Sequence, residues 1–251
     1  MSRLADEQAF HDAQAIARAE TFVEDPARLR FTDDDYLDHE TWIRPAFAQL
    51  GELNGRDVLD YGCGHGMASV VLARRGAKVT AFDLSPGYID EAIRRAEANQ
   101  ISAKFLAADA EHLPFADASF DAVWGNAILH HLQLKQAGLE LHRVLRPGGM
   151  AVFCEPWGEN PFLNFARRSL PYPNKQHTPD EKPLRRSHLA PLREIFPNLT
   201  IRGYQLFGMV RRVTRRRFVV APLDFVDRGL LKIVPGLEFW CRYVVVTIRR
   251  E

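Results

Sequence analysis

The sequence predicts an open α/β fold, a mostly parallel sheet with helices on both faces. Two observations predict it. Between residues 57 and 155, short apolar runs alternate with segments of helical periodicity, the pattern of strands joined by crossover helices. The first of those runs, Val58-Leu59-Asp60-Tyr61, leads directly into Gly62-Cys63-Gly64-His65-Gly66, which opens a helix. Glycine tolerates positive φ and lets a ligand approach the backbone, so a ligand is expected at the carboxyl end of the first strand.

The elements follow in order. The first 50 residues read as helical. Asp33, Asp34 and Asp35 offer N-caps to a segment in which Tyr36, Ile43, Phe47 and Leu50 recur at helical spacing, and Pro45 is expected to kink or split it. Strands are expected at 57–61, 78–82, 104–107, 120–124 and 150–155. Helices are expected over 66–75, from the Ser85-Pro86 cap onward with Ile89, Ala92, Ile93 and Ala96 as the apolar face, and from Leu134 to the stop Arg146-Pro147-Gly148-Gly149. Seven of the fifteen prolines fall in 156–191, so an irregular cap is expected there. A helix over 189–196 and late strands at 199–207 and 240–248 complete the reading. The expected division is an N-terminal helical segment, 1–50, and a single domain, 51–251, with cap insertions at about 156–191 and 208–236.

Composition bounds the classes. An apolar fraction of 46% and a charged fraction of 26% are those of a globular domain. No run approaches the roughly 20 apolar residues of a membrane span, and the polar start MSRLADEQAF is not a secretory signal. Cys63, Cys154 and Cys241 form no CxxC pair and no metal set, so a reducing, cytoplasmic location and no metal are expected. The net charge of +1 conceals an asymmetry: residues 1–149 hold 15 Lys+Arg against 23 Asp+Glu, and residues 150–251 hold 18 against 9. The C-terminal part is therefore the one expected to meet an anionic substrate or surface.

The glycine turn also says which ligand. A dinucleotide fingerprint is G-x-G-x-x-G, and here Met67 occupies its third glycine position. Asp60, two residues before Gly62, would repel a pyrophosphate and attract an ammonium group. Asp83, 21 residues after Gly62 at the end of the second strand, is placed to bind ribose hydroxyls. Cys63 reads as a small side chain filling the turn, and His65 is a further candidate for contact with the ligand.

At this point the sequence resembles the class I S-adenosylmethionine-dependent methyltransferases, in the branch of quinone-biosynthesis and small-molecule enzymes. The segments VLDYGCGHG, TAFDLSPGYIDEA, AADAEHLPFADASFDAVW, NAILHHL and VLRPGG carry the resemblance, in order, over about residues 55–155. It implies a Rossmann-like sheet of seven strands in the order 3-2-1-4-5-7-6, with strands six and seven antiparallel. It implies S-adenosylmethionine as cofactor and S-adenosylhomocysteine as product. It implies that Asp60, Gly62 and Gly64 hold the methionine part, with Tyr61 and Cys63 also binding the cofactor, and that Asp83 binds the ribose. Leu84, Asp109, Ala110 and Glu111 would surround the adenine, and Asn126 and Ala127 would border the sulfonium.

Methyl transfer is an in-line displacement, so the protein must align the acceptor and, for some acceptors, take a proton. His130 and His131 after the fourth strand and Glu155 ending the fifth are the candidate bases. Their alternative roles are a packed helix start for the histidines and a hydrogen-bonded loop anchor for Glu155. The expected partner is a small apolar or anionic acceptor: lipid, prenyl or quinone-like. Arg211, Arg212, Arg215, Arg216 and Arg217, interleaved with Val213, Phe218, Val219 and Val220, suit an anionic membrane surface, which would make the protein peripheral to a membrane, or else a solvated face. RNA methylation is the runner-up, disfavoured by near-neutral charge and the lack of an RNA-binding motif. A nicotinamide-dependent oxidoreductase is the other alternative, against which Met67 counts.

Overall fold

The computed structural model describes residues 3–23, 26–169, 182–212, 214, 216–234 and 236–251. Its centre is a seven-stranded sheet of β1 (Asp57–Tyr61), β2 (Lys78–Asp83), β3 (Lys104–Ala107), β4 (Phe120–Asn126), β5 (Leu145–Pro156), β6 (Thr200–Tyr204) and β7 (Tyr243–Arg249). The order is β3-β2-β1-β4-β5-β7-β6, as the resemblance implied. The pairs among β1 to β5 are parallel, and β7 runs antiparallel to both β5 and β6.

Alternation along each strand builds two cores. Val58 of β1 and Trp124 of β4 face one side, together with Phe47, Val71 and Ala92. Leu59 and Tyr61 face the other, with Val123, Phe153, Leu141 and Phe196. The first layer holds α2 (Asp33–Leu37), α3 (Ile43–Phe47), α4 (Met67–Arg74) and α5 (Pro86–Ala98). The second holds α6 (Leu134–Val144) and α8 (Ala190–Ile195). Ser85 caps α5 with Pro86 in its first turn, as expected.

Some boundaries differ from the sequence reading, each for a physical reason. Thr32, not an aspartate, is the N-cap of α2, in a capping box with Asp35, and the three aspartates occupy the first turn, where the helix dipole favours them. The helical stretch does split, but over residues 38–42, and Pro45 sits harmlessly in the first turn of α3. Residues 33–50 contribute Tyr36, Leu37, Trp42, Ile43, Phe47 and Leu50 to the first core, so they are built into the sheet's own packing. The turn Arg146-Pro147-Gly148-Gly149 is absorbed into β5, whose register against β4 shifts there.

Helix α1 (Arg3–Val23) packs on α5 and so covers the carboxyl edge of β2. Asp12 accepts hydrogen bonds from the Ser85 hydroxyl and from Gly87 N, and Ala15 is buried against Gly87. Two segments lie outside the alternating core, α7 (Pro161–Ser169) after β5 and α9 (Arg217–Ile233) between β6 and β7. Helix α9 buries Val220 and Asp227, and Asp227 accepts from Phe207 N and Gly208 N, whereas Phe218, Phe225 and Ile233 are more than 70% exposed. Residues 170–181, Val213 and Arg215 lie outside the described residues, as do the side chains of Arg212 and Arg217. Arg211 pairs with Asp224, and Arg216 is exposed. No described helix is long and apolar enough to cross a membrane.

Candidate active site

The parallel strands end together at one edge. Tyr61 lies opposite Phe82 and Gly125, so the turn after β1 sits between Asp83 and the turn after β4. The chain reverses there through Gly62, Gly64 and Gly66, all at positive φ. A methyl on Gly62 would strike the Ile128 side chain at 2.7 Å, and one on Gly66 would strike Ala92, but one on Gly64 would meet no atom within 4 Å. Gly62 and Gly66 are thus glycine for packing, whereas Gly64 borders open space that a ligand can fill.

Two carboxylates lie by the turn. Asp60, on the first face of β1, is buried and accepts a 2.5 Å hydrogen bond from the Ser69 hydroxyl on α4. Burial pushes its carboxyl up to about 7, and the charge of Asp83 adds to the rise. Asp83 accepts from Gly64 N at 2.8 Å and from Ser85 N at 3.0 Å. Burial raises its pKa as well, opposed by those two backbone donors and by His11 nearby. Two buried carboxylates that resist ionisation favour a cation between them.

The other expected residues surround this point in different ways. Tyr61 turns into the second core, where its hydroxyl donates to the Ala110 carbonyl at 2.7 Å, so only its backbone borders the turn. Cys63 is buried, its thiol pushed up by burial, and its N–H donates to Phe82 O. Leu84 is half-buried beside Asp83. Asp109 accepts from Glu111 N at 2.8 Å and meets His112. Glu111 is buried and accepts from Gln133 N at the start of α6. Asn126 is exposed at the end of β4, and Ala127 takes φ +59 with its N–H on Cys154 O.

The three candidate bases divide. Glu155 is fully buried. One oxygen accepts from Ile128 N and Leu129 N, and the other meets His130 Nδ1 at 2.7 Å. His130 is likewise buried in that pair. His131 points the other way, towards α1, where its Nδ1 lies 2.7 Å from Glu7 Oε1. Glu7, His11 and Asp12 lie beside His131, Asp83 and Ser85, and sequence reading did not single them out. Their spacing on α1 was visible, but nothing in it showed that α1 would lie across this edge. Two open concavities elsewhere, one lined by Arg30, Thr32 and Arg74 and one by Arg56, Asp121 and Arg146, do not touch the turn.

Residues 59–153 match the methyltransferase domain family. A malonyl-[acyl-carrier protein] O-methyltransferase of Pseudescherichia vulneris is 40% identical over 142 residues, 56% of this chain and 51% of the relative. A demethylmenaquinone methyltransferase of Beutenbergia cavernae is 41% identical over 121 residues, 46% of this chain and 49% of the relative. The chain therefore spans about half the length of the curated relatives it matches. The geranyl diphosphate C-methyltransferase of Streptomyces coelicolor A3(2), solved with Mg2+, geranyl diphosphate and S-adenosylhomocysteine, shares the fold with a TM-score of 0.57 at 21% identity, covering 84% of this chain and 80% of that one. Residues 59–153 thus carry a methyltransferase domain match, and the sheet has the strand order of the class I S-adenosylmethionine-dependent methyltransferase fold.

Proposed function

We propose that the chain transfers the methyl group of S-adenosylmethionine to a small-molecule acceptor, apolar or anionic, at the carboxyl edge of the sheet. The observation that carries this reading is Asp83 bonded to Gly64 N beside the open face of Gly64, with Asp60 buried close enough to feel its charge. When bound, the cofactor supplies a methyl activated on a sulfonium. Asp60 offers its carboxylate to the ammonium of the methionine part, with Tyr61, Gly62, Cys63 and Gly64 presenting backbone. Asp83 takes the ribose hydroxyls. Leu84, Asp109, Ala110 and Glu111 flank the adenine, with Tyr61 holding the Ala110 carbonyl in place. Asn126 and the left-handed Ala127 border the reacting end.

Glu155 and His130 serve this site as positioning residues. Between them they satisfy Ile128 N and Leu129 N, which holds the turn after β4 against the glycine turn. His131 lies beside Glu7 rather than Glu155, and it is the member of the candidate set that this reading assigns to the acceptor. The names of the relatives, a malonyl carrier-protein O-methyltransferase and a demethylmenaquinone methyltransferase, support the class of reaction and leave two acceptor chemistries open. Incubation of the protein with a metabolite extract and isotopically labelled S-adenosylmethionine tests the reading. One labelled small molecule in the extract is the expected product. Label appearing only in RNA would favour the runner-up, and no label in any fraction would contradict methyl transfer.

A further inference from the structure

Glu7 and His11 stand one turn apart on α1, and the turn after β4 brings His131 against them. The Glu7 carboxylate and His131 Nδ1 are 2.7 Å apart, and the rings of His11 and His131 meet edge to face at 5.7 Å. One ligand-type atom from each residue lies within 4.8 Å of the other two, a juxtaposition found once among the described residues. All three are half-buried, so an ion can reach them. His11 Nδ1 is shielded from solvent and makes no hydrogen bond, a cost that a bound ion would relieve.

We propose that Glu7, His11 and His131 bind one divalent transition-metal ion, zinc by the chemistry of the donor set. Two imidazoles and one carboxylate are a three-ligand set that leaves coordination positions open. Bonds of about 2.0–2.2 Å set neighbouring ligand atoms roughly 3.3 Å apart, so the Glu7–His131 contact opens and His11 moves in. The ion fastens α1 across the carboxyl edge of the sheet, beside the contacts that Asp12 makes with Ser85 and Gly87. Its open positions receive an oxygen of the acceptor, a role that rests on the methyl-transfer reading. Sequence spacing alone gave no sign of the site, because Glu7 and His11 are an ordinary i,i+4 pair and the third ligand arrives by tertiary packing.

The untagged 251-residue chain, stripped with a chelator, is titrated with Zn2+ by calorimetry and with Co2+ by visible absorption. One equivalent of each is expected, with ligand-field bands for Co2+ and slower amide exchange over residues 3–23. Glu7→Gln and His11→Ala should each weaken Zn2+ binding at least about tenfold, and the exposed His188, changed to Ala, should leave it unaltered. His11→Gln replaces His11→Ala if that variant does not fold. Undiminished binding in the Glu7 and His11 variants, or no stoichiometric binding by folded wild type, overturns the site. The same stripped protein is titrated with S-adenosylmethionine. If the cofactor binds but added zinc does not, the metal site alone fails; if zinc binds but the cofactor does not, the methyl-transfer reading alone fails.

Discussion

At the scale of the residue, Asp60 carries a pH-dependent cost that cofactor binding would turn to use. Its carboxyl is raised to about 7 by burial, with Asp83 adding, from an ordinary 3.8. The folded protein therefore holds this proton more tightly than the unfolded chain does. The resulting stabilisation is present in full below about pH 4, is lost as pH rises to about 7, and then levels off, a span on the order of 4 kcal/mol. An ammonium beside Asp60 requires the carboxylate, so cofactor affinity should rise with pH over the same window. Asp60→Asn should raise the apo melting temperature at pH 8, flatten its slope between pH 4 and 7, and weaken cofactor binding at least about tenfold, the loss of a charge-assisted contact. Melting curves across pH and calorimetry at pH 6 and 8 measure both. An unchanged slope in the variant would show that Asp60 is not the group responsible. Asp83 differs, because its two backbone donors, Gly64 N and Ser85 N, make it a brace for the turn as well as a ligand contact. Asp83→Ala should thus cost stability as well as affinity.

At the scale of the element, the glycine turn separates packing from binding. Gly66→Ala meets the Ala92 backbone at 2.9 Å with φ +79, and should cost about 2–4 kcal/mol through strain and overpacking. Gly64→Ala meets no atom, so it should cost only backbone strain of about 1–2 kcal/mol while its methyl occupies ligand space and lowers affinity. Urea unfolding and cofactor titration of both variants check this, and a reversed pattern would place the ligand elsewhere. The turn after β4 gives a second test. Glu155→Gln leaves the His130 imidazole and two backbone donors with one poorer acceptor, and should destabilise by about 2–4 kcal/mol. As an anchor, it should slow methyl transfer without moving the pH profile of kcat. A profile that loses its limb would make Glu155 a base after all. Much of this was legible in the sequence. β1 and the Ser85 cap fall where local chemistry puts them, because a short apolar run ending in a glycine turn and an N-terminal Ser-Pro are decided within a few residues. The capping role of Thr32 was hidden by three adjacent aspartates, and the burial of Glu155 by the absence of any local partner.

At the scale of the molecule, the segment of residues 57–156 that the sequence made most readable is also the one that forms five parallel strands and the glycine turn. Its motifs depend on backbone geometry, which few residues can supply, so they stand out. The rest depends on packing between distant segments. Helix α1 reaches the site only because α5 offers Gly87 and Tyr88 to it. Helix α9 reads as amphipathic, yet it turns Asp224 and Asp227 inward to meet Arg211 and the turn after β6. Sequence periodicity finds an apolar face but does not say which face the fold will bury. The negative balance of residues 1–149 falls on the part of the chain that holds Asp60 and Asp83, which suits a cationic cofactor. Calorimetric titration of the folded protein with S-adenosylmethionine, and with S-adenosylhomocysteine as competitor, tests the whole arrangement most directly. One saturable site of micromolar affinity, lost in Asp60→Asn and retained in an α9 variant such as Phe225→Ser, is the predicted result. No heat and no thermal shift with either compound, on protein shown to be folded, would contradict it.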